Sequence, residues 1–115
     1  MFEQVKEKIE DSYYWDARVK ALECNYFGDE VKLIYEDDKK DIIYYFEECY
    51  NVQIKHALEC PKDKASRELT ITQIPYFIQD VELTELIIDE KKYMEFNINM
   101  HPIELKIICK KFNIY

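Results

Sequence analysis

Residues 17–56 alternate between apolar and polar side chains in short runs broken by polar turns. Val19 sits between Arg18 and Lys20, after which the apolar parity shifts by one residue to Leu22, Cys24 and Tyr26. Strand side chains alternate faces with a period of two, so this shift predicts a β-bulge at Ala21 within a first strand over 17–26. Phe27-Gly28-Asp29 reads as a tight turn, the single glycine of the chain supplying a positive φ. Val31, Leu33 and Tyr35 mark a second strand over 30–35, followed by a polar hairpin loop at 36–41. Residues 42–47 are apolar on both faces, which predicts a central strand covered on each side. Tyr50, Val52, Ile54 and His56 then alternate with Asn51, Gln53 and Lys55, a fourth strand over 50–56.

The flanking segments complete the outline. Phe2, Val5 and Ile9 form one helical stripe among charged neighbours, predicting a short amphipathic helix over about 2–10. The polar segment 60–67 reads as the main surface loop, and 69–73 as a short strand stopped by Ile74-Pro75. Residues 79–89 fit a strand better than a helix; 89–92 is a polar hairpin loop. Strands over 93–100 and 103–109 follow, separated by His101-Pro102, with Phe112 and Ile114 closing on the core. The expected fold is α+β and mainly β: an antiparallel meander or sandwich of about eight strands with one N-terminal helix, in a single domain over 1–115.

Charge narrows the partners. The chain carries −8 at pH 7, and residues 1–60 hold 15 acidic against 8 basic side chains. Such a half repels phosphate backbones, which excludes nucleic acid, and complements a basic protein. No apolar run reaches membrane-spanning length and no apolar leader precedes the four cysteines, so the expected setting is the cytoplasm with reduced thiols. Cys24 and Cys109 fall on apolar strand faces, predicting buried thiols, while Glu47-Glu48 disfavours a thiolate at Cys49. His56 ends an apolar face and reads as a core histidine. One glycine cannot build a phosphate-cradling loop, and the His and Cys spacings match no metal motif, so neither cofactor nor metal is expected.

Ten tyrosines and one tryptophan are the positive anomaly, since amphipathic rings are enriched at recognition surfaces. Tyr13, Tyr14 and Trp15 form the densest cluster, ending in Asp16 beside an apolar strand. Core packing at the helix–sheet junction and an exposed binding patch both account for them. Together with the acidic turn residues Asp29, Glu30, Glu36, Asp37 and Asp38, they are the candidate partner-binding residues.

The Trp15-Asp16-Ala17-Arg18-Val19 lead-in and the closing Leu105-Lys106-Ile107-Ile108-Cys109 strand resemble a group of small bacterial proteins that includes immunity proteins of polymorphic toxin systems. The resemblance covers about residues 13–112 and implies a non-enzymatic protein that binds and neutralises a toxin. Two other readings stand beside it. One is a small-molecule binding domain with Tyr13, Tyr14 and Trp15 around a pocket; the other is an assembly protein acting through an edge strand, as a homo-oligomer. A catalytic pairing of Asp16 with a histidine such as His56 is the enzymatic alternative.

Overall fold

A computed structural model describes residues 2–37, 40–56, 76–101 and 103–115. The expected loop at 60–67, the expected strand at 69–73, Asp38 and the second residue of the His101-Pro102 turn lie outside the described residues.

Helix α1 spans Phe2–Glu10 and buries Val5 and Ile9, four residues apart on one face. Glu3 in its first turn and Lys8 in its last complement the helix dipole. Ser12 fastens its C-terminal end. The Ser12 hydroxyl donates to the Ile9 carbonyl at 2.6 Å, so the Tyr44 hydroxyl, 2.5 Å away, is the donor to Ser12 Oγ. The Tyr35 hydroxyl donates to the Ser12 carbonyl at 2.9 Å. Two tyrosines of the sheet thereby hold the helix end, and burial pushes the Tyr44 hydroxyl well above its ordinary pKa.

Among the described residues there are seven strands: β1 (Ala17–Asn25), β2 (Glu30–Asp37), β3 (Lys40–His56), β4 (Phe77–Ile78), β5 (Asp80–Ile88), β6 (Lys91–Met100) and β7 (Ile103–Ile114). They form one antiparallel sheet in the order β4-β1-β2-β3-β7-β6-β5, nearly closed into a barrel rather than a plain meander or a two-sheet sandwich. Closure comes from the segment 76–88. Its start pairs with β1 through Ala17 with Ile78 and Arg18 with Phe77, and its remainder pairs with β6 along the full length of β5. Amides of Asp16, Val19 and Gln79 donate to Ile78, Tyr76 and Asn99 carbonyls, each at 2.8 Å.

The bulge expected in β1 is present, with Val19 facing Tyr35 and Ala21 facing Ile34. The strand expected over 79–89 is β5, and its turn to β6 is a two-residue one at Asp89 and Glu90, both at positive φ (49° and 65°). The count among the described residues is seven rather than about eight: the strands expected at 42–47 and 50–56 are one continuous strand, the one expected at 69–73 lies outside the described residues, and β4 is not among those expected. A register shift between Cys49 and Asn51, with Glu48 at φ 53°, carries β3 through the parity change without breaking its ladder to β7.

β3 is the middle strand of the seven, as its apolar run predicts, but among the described residues only one of its faces is covered. Tyr44 and Phe46 point into the core, whereas Ile43 and Tyr45 are half-buried on the outside. The outer face is served by neighbouring side chains instead of a second layer: Tyr45 meets Tyr115 edge-on at 6.0 Å, with Lys32 over its ring. Inside, Phe46, Phe96 and Phe112 form a three-ring cluster with centroids 4.7 to 5.0 Å apart, extended by Tyr44 at 5.3 Å from Phe112.

Candidate functional site

The nine acidic and aromatic candidates do not converge. Tyr13, Tyr14, Trp15 and Asp16 precede β1, at the end of the β1–β2 pair that also holds Glu36 and Asp37. Asp29 and Glu30 lie at the opposite end; Glu30 and Asp37 are seven residues apart, about 23 Å along the strand. Asp38 lies outside the described residues.

At the first end the aromatic cluster splits. Tyr14 is buried, while Tyr13 and Trp15 are exposed, Trp15 stacking on Tyr14 at 4.2 Å between centroids. Tyr13 and Asp16 both adopt positive φ (50° and 58°), which lets the chain alternate between core and solvent over four residues. Burial raises the Tyr14 pKa. Asp16 is exposed, not partly buried, because its backbone amide reaches Ile78 and leaves the carboxylate in solvent. A recess of about 260 Å³ between helix and β5 is lined by Tyr14 and Trp15 with Lys6, Ile9, Glu10, Val81 and Leu83; Tyr13 does not line it. Glu36 and Asp37 are half-buried along the strand.

The second end is the β1–β2 corner. Asn25 leaves β1, and Tyr26, Phe27 and Gly28 form a 3-10 turn in which all three have positive φ (53°, 57° and 91°). For bulky side chains that region is sparsely populated, and such conformations persist where the surroundings fix them. Here the Asp29 amide donates to the Tyr26 carbonyl at 3.1 Å and the Cys49 amide to the Asp29 carbonyl at 3.0 Å, strapping the turn to β3. The result projects both rings outward: Phe27 is wholly exposed and Tyr26 is 74% exposed. Tyr50, on the far side of the β3 bulge, is 63% exposed and packs against Tyr93 at 5.7 Å. A recess of about 310 Å³ separates the turn from β3.

Carboxylates surround these rings. Glu30 and Glu47 are directly opposite across β2 and β3, a like-charge pair that costs the sheet stability. Lys32 lies 3.7 Å from Glu30, and Lys111 lies 3.3 Å from Glu48. The hydrogen bond to the Glu30 carboxylate, followed by burial, pushes the Tyr45 hydroxyl up to about 12. Covering Phe27 with a partner would remove a full aromatic side chain from water, worth about 2–3 kcal/mol.

Thiols gather at the same end. Cys49 faces Cys109 across β3 and β7. The Cys109 thiol donates to Cys49, lowering the Cys49 pKa and raising that of Cys109, which is also buried. A thiolate at Cys49 is therefore not disfavoured as expected from Glu47-Glu48: the hydrogen bond outweighs burial and the neighbouring carboxylates Asp29 and Glu30. Cys24 is exposed, contrary to expectation, because β4 pairs only with the start of β1 and leaves its far end at the margin of the sheet; partial burial still raises its pKa. His56 is likewise exposed at the end of β3, edge-on to Tyr76 at 6.3 Å.

A third surface crosses the outer face of β3, β7, β6 and β5, where a groove of about 450 Å³ is lined by Gln53, Lys106, Asn97 and Glu82 in one row and Lys55, Glu104, Asn99 and Asp80 in the next. Its charges alternate in sign, and Lys106 is 3.6 Å from Glu95. That arrangement compensates itself and presents no anchor.

The sequence therefore marks Asp29 and Glu30 but passes over Tyr26, Phe27, Tyr50, Glu47 and Glu48. The available signal is an aromatic pair directly before the single glycine, in a turn where polar residues are the rule.

The same fold occurs in a crystal structure of an uncharacterized protein from Neisseria gonorrhoeae, with a TM-score of 0.60 and 16% sequence identity, covering 88% of this chain and 91% of that one. No curated protein matches. The family described as Immunity protein PIM7 matches residues 1–115, and the chain belongs to it.

Proposed function

We propose that this protein neutralises a toxin by binding it in the cytoplasm, without performing chemistry on it. The observation that carries this reading is the match of the entire chain to an immunity protein family. The charge of −8 favours a basic partner, since opposite fields accelerate encounter and fix orientation. Exposed aromatics with acidic neighbours occur at both ends of the β1–β2 pair, and each end offers part of an interface: Tyr13, Trp15 and Asp16 with the acidic hairpin at one, Asp29 and Glu30 at the other.

The test uses a candidate toxin domain taken from the genes adjoining this one. Co-expression should restore growth to cells producing that domain, and the purified pair should form a stoichiometric complex whose association slows with salt. Unchanged killing together with no complex by calorimetry refutes the reading.

The recess between α1 and β5 favours a second reading, a small apolar ligand stacked on Trp15. It is below the usual size of ligand pockets, about 300–1,000 Å³. Tryptophan fluorescence titrated against a small-molecule library separates the two, because a protein partner needs no ligand in that recess.

A further inference from the structure

We propose that the β1–β2 corner is the anchor of the toxin interface, with Phe27 and Tyr26 inserting into an apolar pocket bordered by lysine or arginine on a basic protein partner. This deepens the toxin-binding reading and rests on it.

Four observations converge on this corner. Phe27 is wholly exposed and Tyr26 nearly so, and neither contributes to the buried core. Both sit in left-handed backbone, a conformation that bulky residues adopt only when held there. The backbone hydrogen bonds from Asp29 to Tyr26 and from Cys49 to Asp29 hold the turn, so the direction in which both side chains leave the backbone is set and less backbone freedom is lost on binding. Beside the turn, Glu30 and Glu47 oppose one another across the sheet, Asp29 caps the turn and Glu48 precedes the strapped Cys49. Four carboxylates against Lys32 and Lys111 leave the corner net negative, which a cationic partner complements, and that charge identifies the occupant. Exposed aromatics within a charged border are the pattern of an interface hot spot.

The probe is the candidate toxin domain of the co-expression test. Phe27→Asn and Tyr26→Asn are suitable variants because asparagine tolerates positive φ, so the turn survives. Each should weaken binding by about 30-fold or more, as expected of an anchor residue. Glu47→Gln should slow association several-fold at low ionic strength while leaving thermal stability equal to or above wild type, a combination that a structural role does not produce. Tyr13→Ser/Trp15→Ser, at the opposite end, should weaken binding less than either corner variant.

Wild-type binding with unaltered affinity in Phe27→Asn and Tyr26→Asn overturns the corner and leaves toxin binding standing. Loss of affinity confined to Tyr13→Ser/Trp15→Ser does the same. No binding by the wild type overturns both. Sedimentation of the protein alone is the last arm: a dimer that Phe27→Asn converts to monomer makes the corner a contact between copies and overturns the proposal.

Discussion

Removing the Ser12 hydroxyl isolates the contact that joins helix to barrel. Ser12→Ala leaves the Tyr44 hydroxyl, on a side chain with no exposed surface, without the acceptor it has at 2.5 Å. An unsatisfied buried hydroxyl costs about 1–3 kcal/mol. The Tyr35 hydroxyl is close enough to share a hydrogen bond with Tyr44 and offers partial compensation, which places the expected loss near 2 kcal/mol. At about 4 °C per kcal/mol for a domain of this size, the midpoint falls by about 8 °C. Tyr44→Phe removes the donor instead and leaves Ser12 bonded to the Ile9 carbonyl, so it costs about 1 kcal/mol. The double variant contains no orphaned hydroxyl and should match Tyr44→Phe alone. Urea melts of the four proteins give the coupling directly. Single-variant losses that add to within about 0.3 kcal/mol would refute the assignment of Tyr44 as donor to Ser12.

Other expectations follow from burial and titration. Burial holds Tyr44 and Tyr14 above the tyrosine value of 10.0, and the Glu30 hydrogen bond holds Tyr45 up to about 12, so the folded state keeps protons that the unfolded chain releases. Their stabilisation is complete below about pH 10 and declines as pH rises beyond it; urea midpoints at pH 8 and pH 11 should differ, and Tyr44→Phe should narrow the gap. In a Cys60→Ser background, alkylation of Cys49 should begin below the usual thiol range while Cys109 stays protected until unfolding. Cys109→Ala should move the Cys49 profile upward, and an unchanged profile would exclude the hydrogen bond as its cause. Phe96→Ala opens a cavity in the three-ring cluster and should cost about 3–5 kcal/mol by thermal melting; a loss under about 1 kcal/mol would mean the site collapses around the gap.

Local alternation made most of the barrel legible. The α1 stripe, the bulge in β1 and the strand nature of β5 follow from side-chain period, and the middle position of β3 from its continuous apolar run, although among the described residues the cover expected on both its faces is present on one only. What the pattern did not reveal depends on partners distant in sequence. A parity change at Glu48 reads as the end of one strand and the start of another, and only the uninterrupted ladder to β7 shows that β3 runs through it. Phe-Ile at 77–78 is too short to read as a strand, yet it closes the sheet. Outside the core, Cys24 and His56 have apolar neighbours in sequence but stand at a margin and a strand end, where nothing described covers them. For the corner, a turn type was recognisable from Gly28, whereas the outward direction of Phe27 depends on a strap from β3.

The closing seam has its own consequence for motion. Strands β2, β3, β7 and β6 are each flanked on both sides, but among the described residues the junction of β4 with β1 rests on a two-residue pairing, with backbone bonds from the Asp16 and Val19 amides across it. Opening there breaks far fewer contacts than unfolding the sheet, so its free energy falls well below the global value. The amides of Asp16 and Val19 should exchange with solvent before those of β3, and the barrel should breathe along this single line while its aromatic centre stays shut.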